Sequence, residues 1–324
     1  METPETIDNT PWYILGAGAM GSLWGARLAL AGERVALLFR NRSRLNAFRL
    51  GGGLLLEQQG EIVPVNVKAA IAGEPGRKIK RLLVCTKTFD TLDALEQVRN
   101  HLDEHALVIL MQNGLGIQQQ AQQHFKHLPL ICGITTEGAY RRNASHIVYA
   151  GAGYTRLGSL APDATRIKTT LLNLISPLLA HQQLNISWDD DILRSLWLKL
   201  AINCAINPAT ALAGCKTGEL LDKPKNMAEI EMLCSEIEQL LAALNISLHS
   251  SLYDQVRHIM RATAANYSSM CQDVRNGRRT ENDAITGYLC RQAGLLKLGT
   301  PLNYSFYLKI KALESGIPSI GQKS

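Results

Sequence analysis

The chain has 324 residues, 46% hydrophobic and 19% charged, with a formal net charge of +6. That length allows two domains, each with a sizeable core. The charge is too mild and too scattered for a nucleic-acid surface, but it suits anionic small molecules. The seven cysteines (85, 132, 204, 215, 234, 271 and 290) form no CxxC and no Cys/His cluster. They read as reduced core residues of a cytosolic protein, with no metal site. Residues 1–11 are polar and acidic, lack the pattern of a signal peptide, and are expected to be a disordered leader. No apolar stretch reads as long enough to cross a membrane.

Trp12–Leu15 is a short apolar strand that runs into Gly16-Ala17-Gly18-Ala19-Met20-Gly21, a complete GxGxxG. A helix pattern follows over residues 20–31. In such a unit the first glycine makes the turn, the second lets backbone approach a pyrophosphate, and the third lets helix and strand pack closely. The helix N-terminus adds unpaired N–H donors for the phosphate. Residues 34–39 form the next strand, ending in Arg40. NAD sites commonly place an acid here to bond ribose hydroxyls. Arg40, with Arg42 and Arg44 behind it, suits a 2′-phosphate instead, so the expected cofactor is NADPH.

Residues 54–57 and 62–67 flank a Gln-Gln-Gly turn and read as paired short strands. Residues 81–85 form a buried strand that empties into Thr86-Lys87-Thr88. Ligands of open α/β sheets bind at such carboxyl ends, which makes Lys87 a candidate. A helix over 90–101 leads to a strand at 107–111 and the turn Gln112-Asn113-Gly114-Leu115-Gly116, with Asn113 at the same edge. Strands at 130–136, 147–149 and 156–158 follow, with Ala139 between the first two. The alternation predicts a doubly wound parallel sheet over residues 12–185.

Beyond Asp163 helical patterns take over, at about 164–181, 190–206, 209–214, 224–244, 250–264, 269–276, 281–297 and 303–315, with one short strand near 185–188. Residues 186–324 therefore read as an all-helical domain. The stretch Arg194–Pro208, RSLWLKLAINCAINP, is apolar except for Lys199, Asn203 and Asn207 at spacing four. Each such step drifts only ~40° around a helix, so the three polar groups share one stripe. Buried polar groups need partners, and a substrate is one candidate partner. The alternative is that Lys199 snorkels to water and the amides bond backbone. Pro208 is expected to end the helix at Asn207. Ser268-Ser269 and Thr280-Glu281-Asn282-Asp283 carry helix-start signatures, the second as a Thr280/Asp283 capping box. They read either as caps or as an anion cradle with a carboxylate beside it.

Taken together, GAGAMG at 16–21, Arg40, Thr86-Lys87, QNGLG at 112–116, WLKLAINCAINP at 197–208, NYSSMCQD at 266–273 and RRTENDAITG at 278–287 resemble ketopantoate reductase, also called 2-dehydropantoate 2-reductase. The resemblance runs from residue 12 to about residue 315. It implies a Rossmann-type domain followed by a helical domain of the 6-phosphogluconate dehydrogenase C-terminal-like type. It also implies NADPH-dependent reduction of ketopantoate to pantoate on the route to pantothenate and coenzyme A. The apolar C-terminal helices fit either a monomer core or a homodimer, and the cysteine usage read above points to the cytoplasm.

By position, Lys199 corresponds to the general acid. Asn203, Asn207 and Ser269, with Lys199, correspond to substrate-binding groups, and Glu281 to a catalytic carboxylate that also contacts the nicotinamide ribose. Gly16 to Gly21, Arg40, Lys87, Asn113 and Ala139 correspond to cofactor contacts. Thr217 departs from the family, which often has a substrate-contacting asparagine there. Two other functions fit the residues. One is reduction of a different 2-oxoacid, and the other is NADPH sensing without catalysis. The intact Lys199, Asn203 and Glu281 set speaks against the sensor.

Overall fold

The computed structural model describes residues 10–161, 164–179 and 185–316. The expected leader lies outside the described residues except for Thr10 and Pro11, as does the end of the helix expected at 164–181. The chain divides into two compact units. One comprises Met1–Gln112 and Ile117–Ile192, and the other comprises Asn113–Gly116 and Leu193–Ser324.

The first unit is built on an eight-stranded sheet. Its strands are β1 (Trp12–Leu15), β2 (Val35–Phe39), β5 (Lys68–Ile71), β6 (Ile79–Val84), β7 (Leu102–Leu110), β8 (Leu130–Thr135), β11 (Thr155–Ser159) and β12 (Ile186–Trp188). Their order is β12-β11-β8-β7-β6-β1-β2-β5. All neighbours are parallel except β11 and β8, so the expected parallel sheet carries one antiparallel pair. Side chains alternate across β1. Trp12 and Ile14 join one core, while Tyr13 and Leu15 join another on the opposite face. The first core is covered by α1 (Ala19–Leu30) and α5 (Thr165–Leu179). The second is covered by α3 (Thr88–Val98) and α4 (Ile117–His124). Burial on both faces explains why these strands read as unbroken apolar runs.

A second sheet has the order β4-β3-β10-β9. Its strands are β3 (Leu54–Gln58), β4 (Glu61–Val65), β9 (Gly138–Arg141) and β10 (His146–Gly151). It shares the core of α1 through Leu54, Leu56 and Ile147. The expected 54–67 hairpin is present, and β10 joins it in parallel beside β3. Arg27 of α1 and Glu137 form a buried ion pair, with the guanidinium 4.5 Å over the Tyr149 ring. Buried charges need such pairing.

The second unit is organised around α6 (Ile192–Ala213), a 22-residue helix that runs through Pro208. The expected stop at Asn207 is therefore wrong. Pro208 lacks an N–H and costs the helix about 3 kcal/mol. However, Ala205, Ile206, Ala209 and Ala211 are all buried around it, so unwinding there would expose core. The Thr210 hydroxyl also donates to the carbonyls of Ile206 and Asn207, each at 3.0 Å. At 22 residues α6 is long and apolar enough to span a membrane, contrary to the sequence reading. Two thirds of its most apolar window is nonetheless buried within the protein, as in the core helix of a soluble fold.

Around α6 lie α7 (Pro224–Ala243), α8 (Leu252–Ala262), α9 (Ser269–Arg275), α10 (Thr286–Leu295) and α11 (Pro301–Ser315). The helix expected at 281–297 is instead a 3-10 turn at Asn282–Ala284, a break at Ile285, and then α10. The Thr280/Asp283 capping box does not form. Thr280 donates its hydroxyl to Glu314 at 2.6 Å, and Asp283 takes the Tyr307 hydroxyl at 2.8 Å. All seven cysteines are free. Burial pushes the Cys85, Cys132 and Cys234 thiols up to about 12, so they stay protonated and inert.

The start of α11 has no cap from its own N-cap residue, Thr300. Glu236 of α7 fills that role, accepting the N–H groups of Leu302 (2.8 Å) and Asn303 (2.9 Å) and the Asn303 side-chain amide (2.8 Å). Removing an acceptor that satisfies three donors leaves them unmet in a packed interior. Glu236→Ala is therefore expected to lower stability by about 2–3 kcal/mol, read as a fall in the urea midpoint at unchanged m-value.

Candidate active site

In the first unit, β2 and β6 flank β1 on opposite sides, so the chain leaves the sheet in opposite directions around β1. Ligands of doubly wound sheets bind at the carboxyl end of such a switch point. There β1 empties into Gly16, whose φ is +98°. A Cβ on Gly16 would lie 2.7 Å from the Thr86 nitrogen. Gly18 is the N-cap of α1 and lacks a side-chain cap, and a Cβ on it would meet nothing within 4 Å. A Cβ on Gly21 would land on the Gly16 carbonyl oxygen. The three glycines thus serve the turn, the open approach and the close packing in that order. The first turn of α1 contains no acid, so its positive end is left for an anion.

Arg40 ends β2. It is 66% exposed and reaches Asp90 at only 3.4 Å. A long, exposed pair of this kind is weak and can yield to a phosphate. Arg42 and Arg44 open α2 (Arg42–Leu50), whose N-cap Asn41 accepts the Arg44 N–H at 3.0 Å. Lys87 is the extended residue before α3, half-buried, and its carbonyl accepts the Thr91 hydroxyl at 2.9 Å. Ala139 is half-buried in β9 opposite Tyr149.

In the second unit the Lys199 ammonium donates to Asn113 Oδ1 at 2.9 Å. Gly114 has a φ of +88°, and a Cβ on it would fall on the Ala284 carbonyl. Leu115 N–H bonds that same carbonyl at 3.0 Å. Gly116 has a φ of +100°, with the Tyr288 ring 3.0 Å from where its Cβ would be, and Tyr288 in turn packs on Trp197 at 5.7 Å. The 113–116 loop is therefore clamped to α6, to α10 and to the turn that follows Glu281.

Burial pulls the Lys199 pKa down from 10.5 to about 8, and the Glu281 carboxylate, only 6% exposed, opposes that fall. An ammonium balanced in this way is a competent proton donor near neutrality.

Asn203 and Asn207 share the Lys199 face, and neither side chain bonds another described residue. The backbone-bonding alternative for these amides is thus not what the described residues show. The cap of α9 is Ser268, which accepts the Cys271 N–H at 3.1 Å and pairs with the Thr210 hydroxyl at 2.7 Å. Ser269, the next residue, is exposed. Thr217 turns its hydroxyl onto the Asn266 carbonyl at 3.1 Å.

The structure thus brings Lys199, Asn113 and Glu281 together in the helical unit, with Asn203 and Asn207 along the same helix. Gly16 to Gly21, Arg40, Lys87 and Ala139 belong to the sheet unit. Thr210 escaped the sequence reading, although it extends the polar stripe by one i+3 step from Asn207 and ties α6 to α9.

Residues 12–162 match the family model described as ketopantoate reductase PanE/ApbA, and residues 191–314 match its C-terminal counterpart. A 2-dehydropantoate 2-reductase of Vibrio cholerae is 32% identical over 302 residues, 93% of this chain and 97% of its own length. The PanE/ApbA-family ketopantoate reductase of Ralstonia eutropha superposes with a TM-score of 0.84 at 24% identity, over 95% of this chain and 99% of that one. D-mandelate dehydrogenase, solved with NADH and anilino(oxo)acetate, gives 0.85 at 21% identity over the same shares, a likeness of fold. With both halves matched in order and a relative above 30% identity along nearly the whole length, the chain belongs to the ketopantoate reductase family.

Proposed function

We propose that this protein reduces 2-dehydropantoate to (R)-pantoate with NADPH, a step toward pantothenate and coenzyme A, in the cytoplasm. The observation that carries this reading is the Lys199 ammonium, held on Asn113 and poised near neutrality beside Glu281, in a chain of this family.

The sheet unit has the features a dinucleotide needs: an open Gly18, an acid-free helix start and an exposed Arg40. Gly16, Ala17, Gly18, Ala19, Met20 and Gly21 would hold the pyrophosphate, and Arg40 the 2′-phosphate, with further contacts from Lys87, Asn113, Ala139 and Glu281. When bound, NADPH supplies the hydride that is added to the ketone carbon. Charge then builds on the carbonyl oxygen. Lys199 stabilises that charge and gives up one proton to it, leaving a hydroxyl and a neutral amine. Asn203 and Asn207, whose amides bond no other described residue, would orient the carbonyl and hydroxyl of a 2-oxoacid, and Ser269 has an exposed hydroxyl for its carboxylate. Glu281 holds the lysine charged until the transfer. Thr217, occupied with Asn266, favours a second reading in which the acid has a different far end.

Absorbance-monitored NADPH oxidation with ketopantoate and a panel of 2-oxoacids tests the substrate. A strong ketopantoate preference is expected, and turnover of another acid alone would replace it. Lys199→Ala should lower kcat/KM by about 10²–10⁴-fold while NADPH still binds; unchanged turnover would remove the lysine from the mechanism. The reductive rate should fall as pH rises through about 8, because Lys199 must be protonated to donate. Arg40→Ala should weaken NADPH by about ten- to a hundredfold and NADH far less. Equal weakening would contradict the 2′-phosphate role.

A further inference from the structure

The turn that carries Glu281 is held from behind by α11. Thr280, just before Glu281 and 1% exposed, gives both its N–H (2.9 Å) and its hydroxyl (2.6 Å) to one oxygen of Glu314. That hydroxyl also accepts the Asn282 N–H at 3.1 Å, which fixes the backbone on the far side of Glu281. Lys311 bridges the other Glu314 oxygen (3.1 Å) and Asp283 (3.2 Å). Asn282 adds a bond from its amide to the Tyr307 carbonyl at 3.0 Å.

At its other end α11 is anchored by Glu236, so the helix is pinned at both termini. The same turn presents the Ala284 carbonyl that holds the Asn113 loop. Glu281 and the loop that carries Asn113 therefore both depend on the placement of one short turn. Glu314 touches neither, and no family motif identified in the sequence reaches it.

We infer that Glu314 is a positioning residue: by gripping the Thr280 N–H and hydroxyl it sets the Glu281 carboxylate and the Asn113 loop against Lys199. This rests on the reading of Lys199 as the proton donor. The charged groups around the turn are Arg279 and Asp283 on it, Arg291 on α10, and Lys311 and Glu314 on α11. Arg279 and Lys311 each pair with Asp283, so Glu281 is the carboxylate that acts on the lysine.

The test is an NMR titration of full-length protein labelled with lysine carrying ¹³C at Cε, with the Lys199 signal assigned by its loss in Lys199→Ala. Glu281→Gln sets the scale and should lower the Lys199 midpoint by about one unit or more. Glu314→Ala removes the grip and should lower it by a comparable amount. Glu314→Gln also removes the charge but keeps an acceptor for Thr280, and should stay near the wild-type midpoint. A wild-type midpoint in Glu314→Ala, or an equal fall in the Gln and Ala variants, would overturn the proposal, since the second outcome reports lost charge rather than lost position. Thr280→Val, which keeps Glu314 but removes the hydroxyl, tests the same grip if Glu314→Ala does not fold, and an unmoved midpoint there overturns it as well. A role confined to stability would lower Tm without moving any midpoint. The titration needs no turnover, so inactivity on every 2-oxoacid would sink the proton-donor reading while leaving this one measurable.

Discussion

Everything in the helical unit follows from placing one ammonium inside protein. Taking Lys199 out of water penalises its charged form and pulls its pKa down. The Glu281 carboxylate acts the other way, and the Asn113 side-chain oxygen accepts a hydrogen bond from the ammonium at 2.9 Å. The balance falls near 8 rather than at 10.5, where an exposed lysine would hold its proton too tightly. Neither partner is adjacent in sequence. One lies at the end of a sheet strand and the other on a turn between helices, so the fold has to build a short-range contact from three distant segments. The glycines at 114 and 116 make this possible, because their positive φ values let the loop press directly against Ala284 and Tyr288.

Much of this was legible in the sequence, and the reasons differ between elements. The nucleotide loop could be read because each of its glycines answers to local geometry: a turn at 16, an open approach at 18 and a contact at 21. The polar stripe on α6 could be read because a helix with a spacing of four is self-describing. The end of that helix could not. Pro208 argues locally for a stop, whereas buried apolar neighbours on both sides argue globally for continuation, and the larger area of core prevails. The capping box failed for a similar reason. Thr280 and Asp283 have the right spacing, but Glu314 and Tyr307, distant in sequence, offer better partners. Short or polar elements such as β5, β9 and the glutamine-rich α4 were missed because they contribute little apolar periodicity of their own and are fixed by the larger elements beside them.

In the proposed function, the arginine cluster after β2 places cofactor preference at one residue position. A carboxylate at the end of this strand would bond ribose hydroxyls and repel a 2′-phosphate, while a guanidinium does the reverse. Arg40 reaches Asp90 only at long range and is mostly exposed, so its charge is available rather than committed. The first turn of α2 beside it contains no acid, and its N-cap Asn41 accepts the Arg44 N–H at 3.0 Å. Sequence alone identified these arginines, and the structure adds that the nearest carboxylate is a weak competitor.

A polar site inside a helical bundle creates a second problem, which is how to keep its parts still. Asn203 and Asn207 have no partner among the described residues, so helix packing alone must fix their direction. The surrounding fold supplies that rigidity through polar contacts placed away from the chemistry. Glu236 caps α11 from α7, Glu314 and Lys311 tie the other end of α11 to the Thr280–Asp283 turn, and Thr210 links α6 to the cap of α9. Each joins two elements by a short bond between groups that are at least partly buried, where a misplaced partner costs more than at the surface. Rigidity of this kind is not carried by the residues that touch a substrate. If Lys199 is the proton donor, as proposed, a variant far along α11 would alter that step without replacing any of the side chains assigned to the substrate.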